Sequence, residues 1–139
     1  MASWRQFTTN PDSITSVYGD HDPSLSDIEI INIEMPAPVT WINLTLALND
    51  YAASPPPKWA REKNNAVALR LQCLDVASFL SKRRAGSEIV SCQIHELSDA
   101  ATKYELHIHG DGIEITLQCN WIRIDRITPY LRDKSNVSQ

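Results

Sequence analysis

The residues of this sequence best suited to chemistry lie in the stretch HIHGDG, residues 107–112. His107 and His109 are two positions apart, so both side chains would lie on one face of a β-strand, with His95 diagonally across on the neighbouring strand. Together with Asp111, histidines in this arrangement can bind one metal ion. The same face would also carry the polar side chains of an ordinary solvated sheet: Gln93, Glu105, Glu114, Thr116 and Gln118. We expect an exposed polar face, and a metal at His95, His107 and His109 is the alternative.

Other signatures of catalysis or cofactor binding do not occur in the sequence. It has no Gly-x-Ser-x-Gly motif, and its four glycines form no phosphate-binding loop. The cysteines lie in apolar alternations without a Cys-x-x-Cys pair, which is typical of small core side chains rather than zinc ligands or disulfides: Cys73, Cys92 and Cys119. We therefore expect a protein that is not an enzyme and that needs no cofactor.

The acidic residues are concentrated in the first part of the chain. Residues 1–57 contain seven acidic residues and one basic residue, a net charge of −6, whereas residues 58–139 have a net charge of +2. The first part would repel phosphate groups, which argues against a nucleic-acid partner. No apolar run is long enough to span a bilayer, and residues 1–13 lack the apolar segment of a secretory signal. We expect a cytoplasmic protein that binds neither nucleic acid nor membrane.

Repeated alternation of apolar and polar residues predicts β-strands with one buried face. In residues 40–48, TWINLTLAL, four apolar residues share one face: Ile42, Leu44, Leu46 and Leu48. Five further segments alternate in the same way: residues 66–74, 89–97, 104–109, 113–119 and 121–127. This period of two predicts which side chains form the core of a sheet.

One further strand candidate, LSDIEIINIEM at residues 25–35, changes its apolar face at the Ile30–Ile31 step. A β-bulge at that step would bring the apolar residues back to one buried face. The alternative is a strand that is buried on both faces.

The stretch HGDG, residues 109–112, predicts a tight hairpin in which Gly110 and Gly112 supply positive φ angles. One register keeps the apolar side chains on one face: Ile108 with Ile113, Leu106 with Ile115 and Tyr104 with Leu117.

The fold class that follows is mainly β. We expect one domain over residues 1–139 with about seven largely antiparallel strands, arranged as a meander, a sandwich or a curved sheet. At most one or two short helices are expected, and residues 13–20 and 75–84 could each form a helix or an additional strand. Residues 1–10 and 132–139 are expected to be less ordered.

Three consecutive prolines, residues 55–57, precede Lys58 and Trp59. A recognition peptide would usually show PxxP spacing, and a linker would separate two domains. The flanking strands alternate in the same style, which favours a rigid connection within one domain, with Trp59 as an apolar anchor.

Several of these motifs together resemble a known family. The elements are Trp4 and Phe7, the Pro–Pro–Lys–Trp segment at residues 56–59, the stretch NNAVALRLQCLDV at residues 64–76, and ITPY at residues 127–130. In this order, residues 4–131 resemble the immunity protein 50 family of bacterial polymorphic toxin systems.

The resemblance implies a non-enzymatic cytoplasmic protein that binds and neutralises a cognate toxin. An acidic surface would suit a basic toxin, so we expect the partner-binding residues within the acidic first part. We call the four candidates the acidic front: Asp20, Asp22, Asp27 and Glu29. The alternative is a small β module that binds a ligand in its sheet interior, or a metal at the histidines.

Overall fold

The computed structural model describes residues 4–19, 22–48, 66–86, 89–98 and 101–130. These residues form a mainly β structure with one 3₁₀ helix, one α-helix and six strands. In chain order the elements are the 3₁₀ helix Trp4–Phe7, α1 Asp12–Tyr18, β1 Ile28–Glu34, β2 Trp41–Leu48, β3 Ala66–Arg83, β4 Ile89–Glu96, β5 Tyr104–Gly110 and β6 Ile113–Tyr130.

The strands form one sheet that closes into a barrel in the order β1-β2-β3-β6-β5-β4. Every neighbouring pair is antiparallel. Between the described residues of β1 and β4 the closure is short, with Ile28 opposite Val90 and Glu29 opposite Ile89. The prediction of a mainly β, largely antiparallel fold is confirmed, and the sheet curves far enough to close.

The strand count is six rather than about seven because two predicted strands are one. Residues 113–119 and 121–127 both belong to β6, which is 18 residues long. Strand β3 is also 18 residues long and pairs with β6 along its length. Residues 75–84, which the sequence left open between helix and strand, therefore extend β3 as far as Arg83.

In each of the two long strands the face that is directed to the core changes at one residue. This residue is Asp75 in β3 and Asn120 in β6. Asp75 has a positive φ of 55°, and Asn120 Nδ2 donates a hydrogen bond of 2.7 Å to its Oδ2. Trp121 is 46% exposed, whereas Cys119, two positions earlier, is fully buried. The change is visible in the sequence of β6 as a break in the period of two, since the buried apolar residues occupy odd positions up to Cys119 and even positions from Ile122.

The barrel interior is filled by the side chains that the alternation predicts. None of the following is more than 2% exposed: Ile42, Leu44, Leu46, Leu48, Val67, Leu69, Leu71, Cys73, Val90, Leu106, Ile108, Ile115, Leu117, Cys119 and Ile122. Apolar burial of this extent is the main favourable contribution to folding. The predicted core face is confirmed for β2, β3, β5 and β6.

Strand β1 contains the predicted bulge. Its pairing with β2 shifts between Ile30 and Asn32, so Ile31 is the extra residue and is 54% exposed. Ile30 and Ile33, on either side of it, pack against the core. The bulge interpretation is confirmed, and burial on both faces does not occur.

The predicted register of the β5–β6 hairpin is wrong by two residues. Ile108 lies opposite Ile115, not Ile113. The same side chains face the core, because a shift of two residues preserves the face. Neither Gly110 nor Gly112 has a positive φ. Gly110 is needed for close packing instead, since a Cβ atom there would lie 2.3 Å from the Ile89 carbonyl oxygen.

The chain before β1 covers part of the edge of β6. Thr8 forms a parallel bridge with Ile122. The Asn10 carboxamide bonds both backbone groups of Ile124, because Nδ2 donates to the carbonyl oxygen and Oδ1 accepts from the amide, each at 2.8 Å. Asn10 therefore takes the place of a neighbouring strand at this residue.

Arg5 joins the 3₁₀ helix to α1. Its guanidinium donates to Thr15 Oγ1 at 2.9 Å and to the Gly19 carbonyl at 2.8 Å, and it forms an ion pair with Asp22. Residues 13–20, which the sequence left open, are helical as far as Tyr18. Residues 4–10 therefore contact α1 through Arg5 and strand β6 through Thr8 and Asn10.

Some predictions concern residues outside the described part of the chain. They are the triple-proline connection with Trp59, the partner-binding role of Asp20, and the order of residues 132–139.

Candidate binding surface

The histidines lie on the outer faces of β4 and β5, as predicted. His107 and His109 have ring centroids 5.0 Å apart, and His107 Nε2 lies 3.9 Å from Glu114 Oε1. His95 pairs with Glu105 and so lies diagonally from His107. Among the described residues no three His, Cys, Asp or Glu side chains are grouped to hold a metal ion. The geometry therefore gives the metal alternative no support.

The described residues of the acidic front, Asp22, Asp27 and Glu29, have different surroundings. Asp22 is ion-paired with Arg5 and its side chain is 21% exposed. Asp27 and Glu29 are exposed, and Asp27 lies at the entry to β1 with a positive φ of 54°. The Asp27 amide donates a hydrogen bond of 3.4 Å to Ser91 Oγ. Glu29 lies on β1 opposite Ala47, with its side chain directed away from the core.

A ligand in the sheet interior has no support, because the inward side chains fill the barrel. A crevice of about 250 Å³ lies instead at one end, between β1 and the neighbouring strand connections. It combines apolar and cationic side chains with glycine backbone: Ile30, Ile31, Ile33, Arg83, Arg84, Gly86, Gly112 and Ile113. Its walls come from segments that are distant in the sequence and meet only in the folded barrel.

The outer face of the barrel carries large apolar side chains in a row across three strands. Trp41 on β2 lies opposite Leu74 on β3, and Leu74 lies opposite Trp121 on β6. Trp121 is 46% exposed, and the other two side chains are partly exposed. We call Trp41, Leu74 and Trp121 the apolar row. Directly opposed side chains on neighbouring strands are in contact range, so the three form one continuous surface.

Lys103 is fixed beside the apolar row. Its backbone amide donates a hydrogen bond of 3.0 Å to Asn120 Oδ1, and Asn120 is itself held by Asp75. The Lys103 ammonium lies 4.2 Å from the centroid of the Trp121 ring, within the range of a cation–π interaction. No carboxylate in the described part of the chain forms a salt bridge with this ammonium.

Next to the row, charged side chains of β1, β3 and β6 neutralise one another. Arg70 Nη2 donates to Glu34 Oε1 at 3.0 Å, and Arg123 Nη1 donates to Asp125 Oδ1 at 3.0 Å. Arg70 Nε lies 3.3 Å from Asp125 Oδ2 but is not aligned for a hydrogen bond, so this contact is an ion pair. The carboxylates of this network already have cationic partners.

Asn43 is a buried polar residue on the outer side of β2, two positions from Trp41. It is 5% exposed, and its Oδ1 atom has no hydrogen-bond partner in the described structure. Ala47 on the same side is 2% exposed. The predicted polar outer side of β2 is therefore more buried than alternation suggests.

The three cysteines are free thiols buried in the core, which is the surrounding that the sequence predicts. Burial raises the pKa of the Cys92 thiol to about 12. The pKa of Cys73 is raised by its hydrogen bond with Cys119 and by burial. Because thiolates are the reactive form, the raised pKa values of Cys73 and Cys92 keep these two thiols protonated and unreactive at neutral pH.

The apolar row is not evident from any single segment of the sequence. Trp41, Leu74 and Trp121 come from three separate segments, and their proximity depends on the registers of β2 with β3 and of β3 with β6. A sequence signal exists in each segment, since each places a large apolar residue on the face opposite the predicted core.

Together these features define an all-β protein with a filled interior and with partly exposed apolar and charged groups on its outer surface. In the described part of the chain no helix is long and apolar enough to cross a membrane. The chain belongs to the immunity protein 50 family, whose family model matches residues 10–130. The match confirms the resemblance found in the sequence. No curated protein and no solved structure gives a significant match.

Proposed function

We propose that this chain is a cytoplasmic immunity protein that binds a cognate bacterial toxin domain and neutralises it without catalysis. The observation that carries the proposal is the family match over residues 10–130, which covers most of the chain. Neutralisation by binding requires a stable surface that is complementary to the toxin. The filled barrel provides rigid support for such a surface.

The acidic front is the proposed first point of contact with the toxin. Residues 1–57 carry a net charge of −6, and Asp27 and Glu29 are exposed. A basic toxin surface would be attracted to these carboxylates over distances of about 8 Å at physiological salt. Such steering raises the association rate more than it slows dissociation. Asp22 contributes its charge while it also holds Arg5.

The proposal is tested by co-expression with the toxin domain encoded by the adjacent gene, followed by binding kinetics. The wild-type chain is expected to restore growth and to bind the purified toxin domain. The double variant Asp27→Asn, Glu29→Gln is expected to associate several-fold more slowly at low salt, with a smaller difference at high salt.

Glu114→Gln is the matched control, because Glu114 is an exposed carboxylate with a side chain that is 62% exposed, on the β5–β6 side of the barrel. It is expected to associate at the wild-type rate. Cells that die despite expression of the folded wild-type chain would refute the immunity function. Equal association rates for all variants would refute the role of the acidic front but not the immunity function.

A further inference from the structure

We infer that the apolar row, Trp41, Leu74 and Trp121, is the anchoring surface for the toxin, and that it receives an apolar segment of the toxin flanked by a carboxylate. This inference rests on the proposed function and names the surface that holds the partner after encounter.

The first argument is the size and placement of the row. Exposed apolar residues on a soluble protein are usually scattered, whereas here the exposed Trp121 and the partly exposed Leu74 and Trp41 are direct cross-strand neighbours. Tryptophan at the centre of an interface contributes more binding free energy than most residues. Leu74, between the two tryptophans, completes a surface that is already assembled in the free protein.

The second argument is preorganisation. Asp75 adopts a positive φ of 55°, a conformation that is uncommon for residues other than glycine. Its carboxylate holds Asn120, and Asn120 holds the Lys103 backbone beside Trp121. Backbone strain of this kind often occurs at functional sites. The chain of contacts fixes Lys103 before any partner arrives, which lowers the entropic cost of binding.

The third argument identifies the chemistry of the partner. The side-chain hydrogen-bonding groups of the row and of Lys103 beside it are all donors. They are the Lys103 ammonium and the indole N–H groups of Trp41 and Trp121, and neither indole has a hydrogen-bond acceptor among the described residues. Trp4 differs, since its Nε1 donates to the Pro23 carbonyl at 3.1 Å.

The nearby carboxylates are already engaged, because Asp125 contacts Arg70 and Arg123 while Asp75 accepts from Asn120. An incoming carboxylate beside an apolar side chain would satisfy the unused donors. A cationic segment would instead meet the Lys103 ammonium and be repelled.

The row and the acidic front can contact one partner together. Glu29 lies opposite Ala47, and Trp41 is six residues before Ala47 on the same outer side of β2, about 20 Å away at the rise of a strand. An interface of standard size buries about 800 Å² on each partner, which is about 30 Å across. The acidic front then determines the association rate of the toxin, and the apolar row determines its dissociation rate.

The test measures binding of the full chain to the toxin domain encoded by the adjacent gene. Trp121→Ala is expected to raise Kd by about thirty-fold or more, mainly through faster dissociation. Lys103→Glu is expected to raise Kd about ten-fold, and Lys103→Arg is expected to bind like the wild type. Thermal unfolding confirms that each variant remains folded.

Leu80→Ala is the matched control, because Leu80 is 69% exposed on β3 but lies outside the row. Its Kd is expected to stay within two-fold of the wild-type value. If the wild-type chain binds tightly and Trp121→Ala binds equally well, the inference is wrong while the proposed function stands. If the wild-type chain does not bind, the proposed function itself fails. Equal losses for Leu80→Ala and Trp121→Ala would also overturn the assignment of the row.

Discussion

Strand β3 presents apolar residues to two different surroundings, and the contrast separates stability from recognition. Leu71 faces the interior between Leu44 and Ile124 and is fully buried. Leu74, three residues later, lies on the outer face between Trp41 and Trp121 and is partly exposed. A leucine therefore stabilises the barrel at position 71, whereas at position 74 it forms part of a surface that the described part of the chain leaves partly exposed.

The largest expected effect comes from truncating the two leucines separately. Leu71→Ala should lower the free energy of unfolding by about 2–5 kcal/mol, because it leaves a cavity in a packed interior. Leu74→Ala should cost about 1 kcal/mol or less, since much of this side chain is already in contact with water. Urea denaturation of both variants measures the difference. Equal losses would show that the outer row is as important for folding as the core.

The sequence predicts the interior far better than the outer surface, and β3 shows why. The period of two along residues 66–74 identifies Leu71 as a core residue without knowledge of any partner strand. The role of Leu74 depends on Trp41 and Trp121, which are distant in sequence and become neighbours only through the observed registers.

Strand register is the feature of this sheet that local sequence patterns specify least well. The β5–β6 hairpin was predicted two residues out of register although the correct side chains were placed inside, because both registers bury the same face. The bulge after Ile30 was predictable, since an interrupted period leaves a mark in the sequence itself. The change of face at Asn120 leaves a similar mark between Cys119 and Ile122, but the alternation does not show that one strand continues through it.

A second test uses Cys92 to ask whether the barrel interior excludes water. Its pKa is raised to about 12 by burial, so the thiol stays protonated in the folded chain while it ionises near pH 9 in the unfolded chain. The unfolded state then binds fewer protons, and stability present below pH 9 is lost as the pH rises toward 12.

From pH 8 to pH 10.5, the wild type should lose about 1–2 kcal/mol more than Cys92→Ala, which lacks this group. Urea denaturation of both proteins at the two pH values measures this difference and removes contributions from other titrating groups. A native thiol that reacts with an alkylating reagent as fast as the unfolded one would contradict a sealed interior.

The smallest expected effect concerns Asn43, which is on the outer side of the barrel but is as buried as a core residue. It is on the outer side of β2 beside Trp41, yet it is 5% exposed and its Oδ1 atom accepts no hydrogen bond from the described residues. A buried acceptor without a partner costs free energy, and replacing it with an apolar group of similar size removes that cost. Asn43→Leu should therefore change the free energy of unfolding by about 1 kcal/mol or less, toward greater stability.

A loss of 2 kcal/mol or more in urea denaturation would mean that Asn43 has a partner essential to the fold. A stabilised variant that binds the toxin domain more weakly would instead show that a polar residue at this position serves recognition at the expense of stability, which extends the recognition surface from the apolar row along β2.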